Sequence, residues 1–355
     1  MRVGILTSGG DCQALNATMR GLALTLYRNV KDVEIIGFID GYKGLMYEKY
    51  RKMKPKDFYD ILNVGGSILG NSRCPFKRMR IIENGFDKVK AMKNTYKKLE
   101  LDCLVVLGGN GSIKSANMLS QEGLNVIALP KTIDNDAWGT DYTFGYSSAT
   151  AIATRYLDEI KTTAASHSRV FVIEVMGHKV GHICLSAGIA AGADVILLPE
   201  IPYDIKVVAK KVKETLKDEK NYAIIACAEG AISEADALMK RKDYKAKVLA
   251  RNGRSVAYEV ADELSQEIDA EIRVSCIGHA QRGGHPDSYD REISTRFGVE
   301  GARLIIKKHY GEYVVLQGNH VTHIPLEATA GKLKYVDTEG EIVQSAKLVG
   351  ISFGE

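Results

Sequence analysis

Nine short apolar runs, at residues 3–6, 33–38, 103–107, 126–129, 170–175, 195–198, 223–227, 272–277 and 313–316, most narrow what this chain folds into. They are rich in Val and Ile and continuous rather than alternating, as strands are when both sheet faces are covered. Helical stretches fall between them at 14–26, 86–99, 149–160, 205–216, 256–268 and 291–306. In the second, Phe86, Val89, Tyr96 and Leu99 share a face; in the fifth, Val256, Val260, Leu264 and Ile268 do. Strand and helix in alternation predict an α/β fold with mostly parallel sheets. At 355 residues the chain exceeds one comfortable hydrophobic core, so two domains are expected, with a boundary near Gly145.

Composition removes several classes. Hydrophobic residues make up 45% of the chain, too much apolar surface for a disordered protein. No apolar run approaches the roughly 20 residues of a spanning helix, so no membrane partner is expected. A balance of 48 Lys and Arg against 44 Asp and Glu is no nucleic-acid footprint. The first apolar run is too short for a signal peptide, and a cytoplasmic protein is expected. Six cysteines without C-x-x-C spacing read as reduced structural thiols. The Lys-rich stretch 49–56 reads as a solvated loop.

Glycines gather at strand ends. Ser8-Gly9-Gly10-Asp11 follows the first run, and Gly108-Gly109-Asn110-Gly111-Ser112 follows the third. Val64-Gly65-Gly66-Ser67 precedes Gly70-Asn71-Ser72-Arg73, and Gly283-Gly284 follows run 272–277. In open α/β sheets ligands bind at the carboxyl ends of strands, and glycine there lets backbone amides approach phosphate oxygens. The spacing matches neither G-x-G-x-x-G nor G-x-x-x-x-G-K-[ST], which argues against a dehydrogenase and a Walker-type hydrolase.

After run 126–129 comes Pro130-Lys131-Thr132-Ile133-Asp134-Asn135-Asp136. Two carboxylates two residues apart in an extended loop can divide the work. One takes a proton from a hydroxyl; the other binds Mg²⁺, a hard cation that favours carboxylate and phosphate oxygens. With Lys131 placed to meet phosphate, the segment reads as a phosphoryl-transfer centre. Arg169, Arg273, His279 and Arg282 lie near strand ends, and as a group they suit a dianionic phosphate ester. Glu229, after run 223–227, suits sugar hydroxyls.

In this order the motifs resemble the 6-phosphofructokinase family over nearly the whole chain. They are Thr7-Ser8-Gly9-Gly10-Asp11, the 108–112 turn, the 130–136 loop, Glu174-Val175-Met176-Gly177 and Gly278-His279-Ala280-Gln281-Arg282-Gly283-Gly284. Ile324-Pro325-Leu326, Ala330-Gly331-Lys332 and Gly350-Ile351-Ser352-Phe353-Gly354 resemble its longer, mixed-donor branch. The resemblance implies two Rossmann-like three-layer domains with the active site in the cleft between them. Residues 1–145 plus about 281–325 would be the phosphoryl-donor domain, and 146–280 plus about 326–355 the sugar-phosphate domain. It implies transfer from ATP to the 1-hydroxyl of fructose 6-phosphate, giving fructose 1,6-bisphosphate in glycolysis. Alternatives are a pyrophosphate-dependent enzyme and a weakly active or regulatory homologue.

By the same resemblance Asp134 is the base, with Thr132 and Gly10 at the transferred group. Gly10, Arg73, Cys74, Gly108, Gly109, Asn110, Gly111 and Ser112 hold ATP, and Asp136 and Asn110 hold Mg²⁺. Thr132, Asp134, Arg169, Met176, Gly177, Glu229, Arg273, His279 and Arg282 hold the sugar phosphate. Arg169 and Arg273 would reach in from a neighbouring subunit, which implies a homodimer or homotetramer. Gly111 leaves room for the α-phosphate and favours ATP, whereas Lys131 is the residue pyrophosphate users carry. Three departures stand out: Asn110 in place of an acid, His178 in place of an arginine, and Ser115 in place of a glycine near the base. Arg20 is present at the effector site but Leu24 replaces a second arginine, so regulation by ADP or phosphoenolpyruvate is expected to be weak or absent.

Overall fold

The computed structural model describes residues 1–329 and 331–355, so Ala330 of the C-terminal resemblance lies outside the described residues. The strands are β1 (Arg2–Ser8), β2 (Glu34–Phe38), β3 (Tyr50–Met53), β4 (Cys103–Gly108), β5 (Val126–Pro130), β6 (Val170–Val175), β7 (Val195–Leu197), β8 (Ala223–Ala228), β9 (Ile272–Cys276), β10 (Glu312–Gln317) and β11 (His320–Pro325). They form two sheets in two compact units. One unit is Met1–Ser148 with Arg282–Lys334; the other is Ala149–Gln281 with Tyr335–Glu355.

In the first unit the sheet order is β11-β10-β5-β4-β1-β2-β3. The inner pairings are parallel, and each edge strand is antiparallel to its neighbour. Every residue of β4 and β5 is buried, which explains their unbroken apolar sequence. Leu6, Leu104, Val106, Val126 and Ala128 of the sheet pack with Ile113, Ala116 and Leu119 of the helix Asn110–Gln121. In the second unit four parallel strands run in the order β7-β8-β6-β9. Their core includes Val170, Val172, Ile225 and Val195 from the sheet and Val256, Val260 and Leu264 from the helix Val256–Leu264.

All nine apolar runs are strands. The stretch 49–56 is corrected from a solvated loop, since it contains β3. Only Met53 of that strand is buried, and a charged edge strand offers no apolar run to find. β11 escapes for the same reason, because none of its residues is fully buried. The fifth helical stretch stops at Leu264 rather than 268, although Ile268 still packs into the core. The helices Asn110–Gln121 and His182–Ala190 were not expected, the first because its opening residues read as a glycine turn. No described helix is long and apolar enough to cross a membrane. All six cysteines are unpaired, and Cys12, Cys103, Cys184 and Cys227 are buried.

Candidate active site

Register builds the site in the first unit. Ser8 pairs with Gly108 and Gly108 with Pro130, so β1, β4 and β5 end side by side at their carboxyl ends. The Gly9 turn, the 108–112 turn and the acid loop therefore leave the sheet as neighbours. Gly9 donates to the Ser72 carbonyl at 3.1 Å, which brings exposed Arg73 and half-buried Cys74 to the same end. The amides of Ser112 and Ile113 turn back onto the Gly109 carbonyl. Those of Asn110 and Gly111, in the first turn of the helix, face outward by geometry, as in anion sites at helix N-termini. A Cβ on Gly111 would meet nothing within 4 Å, so the space beside it is open.

The acid loop is not extended as expected. Asn135, between the two carboxylates, has a φ of +52°, and the chain turns there. The Thr132 hydroxyl oxygen accepts the Asp134 amide at 3.1 Å, and Thr143 donates to the Thr132 carbonyl at 2.7 Å. Asp134 stays partly exposed while Thr132 and Asp136 are buried. The Asn110 side-chain amide donates to Asp136 Oδ2 at 2.6 Å. Asn110, expected to give its oxygen to a metal, instead turns its nitrogen to the carboxylate beside it.

Lys131 is also placed differently from expectation. It is 1% exposed, and its ammonium donates to the Gly10 carbonyl. Burial pushes its pKa down to about 8. It braces the glycine turn from beneath rather than reaching for phosphate. From another side Arg282 donates to the Asp11 carbonyl at 2.9 Å. A Cβ on Gly10 would stand 2.8 Å from that guanidinium, so glycine lets the arginine lie against the turn. Arg282 Nε is buried with no hydrogen-bond partner among the described residues. Ser115 is fully buried and its hydroxyl donates to the Gly111 carbonyl.

In the second unit the expected residues divide between the two ends of the sheet. Met176 and Gly177 follow β6, Glu229 follows β8 and His279 follows β9, all at carboxyl ends. Glu229 Oε1 accepts the amides of Gly177 at 3.2 Å and His178 at 2.5 Å, and His178 holds a φ of +55°. Gln281, fully buried, accepts the Met176 amide at 3.3 Å. Arg169 and Arg273 sit at the amino ends of β6 and β9 instead. They share the Glu271 carboxylate, with Arg169 Nε 2.7 Å from Oε2 and Arg273 bonded to Oε1. Those hydrogen bonds and charges hold the Glu271 carboxyl below its usual range. A six-residue strand separates its ends by roughly 17–20 Å, so Arg169 and Arg273 do not form one group with His279 within a subunit.

The sequence motif includes Glu174 but gives it no contact of its own. Glu174 accepts a hydrogen bond from Ser255, which also caps the helix Val256–Leu264. Burial raises the Glu174 pKa, and nearby Glu229 adds to the rise. No apolar period marks a polar pair of this kind. The buried Asp290 was missed; it accepts from Tyr142, from the Gly145 and Ser148 amides and from the Ser148 hydroxyl. It thereby ties down the start of the helix Tyr146–His167.

Among the described residues no group of three or more His, Cys, Asp or Glu side chains forms a metal cage. One oriented carboxylate, Asp136, next to a turn suited to phosphate fits Mg²⁺ arriving with a polyphosphate, because Mg²⁺ takes one or two carboxylates and completes its shell with phosphate and water.

Glycine turns and an acid loop at the carboxyl ends of parallel strands define an α/β phosphotransferase. The family model described as phosphofructokinase matches residues 2–305. An ATP-dependent 6-phosphofructokinase of Spirochaeta thermophila is 47% identical over 99% of this chain and 97% of its own length. ATP-dependent 6-phosphofructokinase 3 of Bacteroides thetaiotaomicron is 42% identical over the whole of both chains. Phosphofructokinase of Saccharomyces cerevisiae superposes with a TM-score of 0.80 at 28% identity, over 93% of this chain and 45% of that one. The chain belongs to the phosphofructokinase family.

Proposed function

We propose that this protein transfers the γ-phosphoryl group of ATP to the 1-hydroxyl of fructose 6-phosphate, giving fructose 1,6-bisphosphate and ADP in glycolysis. The observation that carries the reading is the in-register row of Gly9–Gly10, 108–112 and 131–136 at three neighbouring strand ends. The first unit is assigned the phosphoryl donor and the base; the second is assigned the sugar phosphate. Asp134 takes the 1-hydroxyl proton as the oxygen attacks phosphorus, and the β–γ bridging oxygen leaves with ADP. Thr132 and the Gly10 amide steady the migrating group, while Arg73, Cys74 and the 108–112 turn, through the outward amides of Asn110 and Gly111, hold the donor. Asp136 would hold Mg²⁺, with the Asn110 amide orienting the carboxylate, and the bound ion would supply charge neutralisation at the phosphates. Arg282 completes the positive surroundings from the first unit.

Gly111 opening onto free space and Lys131 turned onto Gly10 both favour ATP over pyrophosphate. Met176, Gly177, Glu229 and His279 would hold the sugar phosphate within one subunit. Arg169 and Arg273 would serve the site of a neighbouring subunit in a homodimer or homotetramer, working in the cytoplasm. Their place at the opposite strand ends supports that assignment. A coupled assay tests the function: fructose 1,6-bisphosphate forms with ATP and Mg²⁺. Turnover with pyrophosphate alone would reject the donor assignment, and fructose 6-phosphate binding without product would reject the activity.

A further inference from the structure

After the helix Leu326–Thr329 the chain returns to the acid loop. Leu333 forms an antiparallel bridge with Ala137, and the Lys334 amide donates to the Asp136 carbonyl at 2.9 Å. The Lys334 ammonium then donates to the carbonyls of Thr140 at 2.9 Å and Asp141 at 2.8 Å. One residue thus grips both ends of segment 136–141. The opposite side of the segment is fixed to the sheet. Leu316 donates to Thr140 Oγ1 at 2.9 Å, Asp141 donates to the Leu316 carbonyl at 2.8 Å, and Gly318 donates to Asp141 Oδ2 at 2.6 Å.

We propose that Lys334 is a positioning residue for the phosphoryl-transfer centre: its ammonium and amide hold segment 136–141 so that the Asp136 carboxylate keeps the orientation that meets the metal–nucleotide. This rests on the reading of Asp136 given above. Asp136 is held from two sides, by Asn110 on its carboxylate and by Lys334 on its backbone. Removing the ammonium leaves the carbonyl of buried Thr140 and that of exposed Asp141 without this donor, and the segment relaxes to find other partners. The carboxylate moves with it, because Asp136 begins the segment.

The probe is Mn²⁺ with ADP, read by electron paramagnetic resonance on the full-length protein. In Lys334→Met the Mn²⁺ dissociation constant rises about tenfold and kcat falls by a similar factor, as for other residues that orient a metal ligand. Fructose 6-phosphate affinity by calorimetry stays within about twofold, because the change is local to the metal side. Lys334→Arg, which keeps a cationic donor, recovers most of the metal affinity. If Lys334→Met does not accumulate as folded protein, Lys334→Gln carries the same comparison. Mn²⁺ affinity and kcat unchanged in the methionine variant would overturn the inference. So would metal and sugar binding falling together with no recovery by arginine. Asp136→Asn separates the two readings. If it leaves Mn²⁺ affinity intact, the assignment of Asp136 fails and the lysine inference with it. If it weakens Mn²⁺ while Lys334→Met does not, only the lysine inference fails.

Discussion

The two units treat their strand ends differently. In the first, β1, β4 and β5 deliver three loops to one end, and the charged groups there are tied to backbone: Lys131 to Gly10, Arg282 to Asp11, Lys334 to Thr140 and Asp141. Such ties fix dipoles before substrate arrives, which phosphoryl transfer rewards. In the second, the sugar-binding candidates sit at one end of the sheet and Arg169 and Arg273 at the other, joined through Glu271. The candidate residues of the first unit thus gather at one end of its sheet, whereas those of the second are split between the two ends.

The contrast breaks first at Asp136. Asp136→Asn should lower kcat by about 10³-fold and raise the Mg²⁺ requirement, seen in steady-state kinetics against Mg²⁺. Next comes Arg273→Ala, expected to weaken fructose 6-phosphate binding by about 10²-fold while ATP binding holds. Mixing that variant with Asp134→Asn subunits should regain activity, because some mixed sites have both groups intact; no recovery would place Arg273 in its own subunit's site. Gly111→Asp should then cost about tenfold to 10²-fold in kcat/KM for ATP with less effect on pyrophosphate, since a carboxylate would enter space beside phosphate.

The smallest effect is on stability. The buried Lys131 has its pKa lowered to about 8, so between that pH and the unfolded value of 10.5 the unfolded chain binds more protons. Stability therefore rises with pH in that window, by at most about 1.4 kcal/mol per pH unit from this group. Lys131→Met should flatten that rise in urea titrations at pH 8 and pH 10. A wild-type slope kept in the variant would assign the rise to other groups.

The parallel strands were legible because burial on both faces leaves unbroken Val and Ile. The edge strands β3 and β11 were not, because an edge needs no apolar run. Asp134 and Asp136 were legible as a pair after a strand, yet the turn at Asn135 was not, nor was the Asn110 amide facing Asp136. Lys131 shows why. A lysine beside a phosphate loop and a lysine beneath it have the same letter, and only packing separates them. Lys334 lies nearly 200 residues from the loop it grips, with no local period to announce it.

The account depends most on Asp134 as the proton acceptor. Rapid-quench single turnover with γ-labelled ATP and fructose 6-phosphate should give labelled fructose 1,6-bisphosphate in the wild type. In Asp134→Asn it should slow by about 10³-fold to 10⁴-fold with sugar affinity retained. Label reaching the sugar at the wild-type rate in that variant would contradict the account.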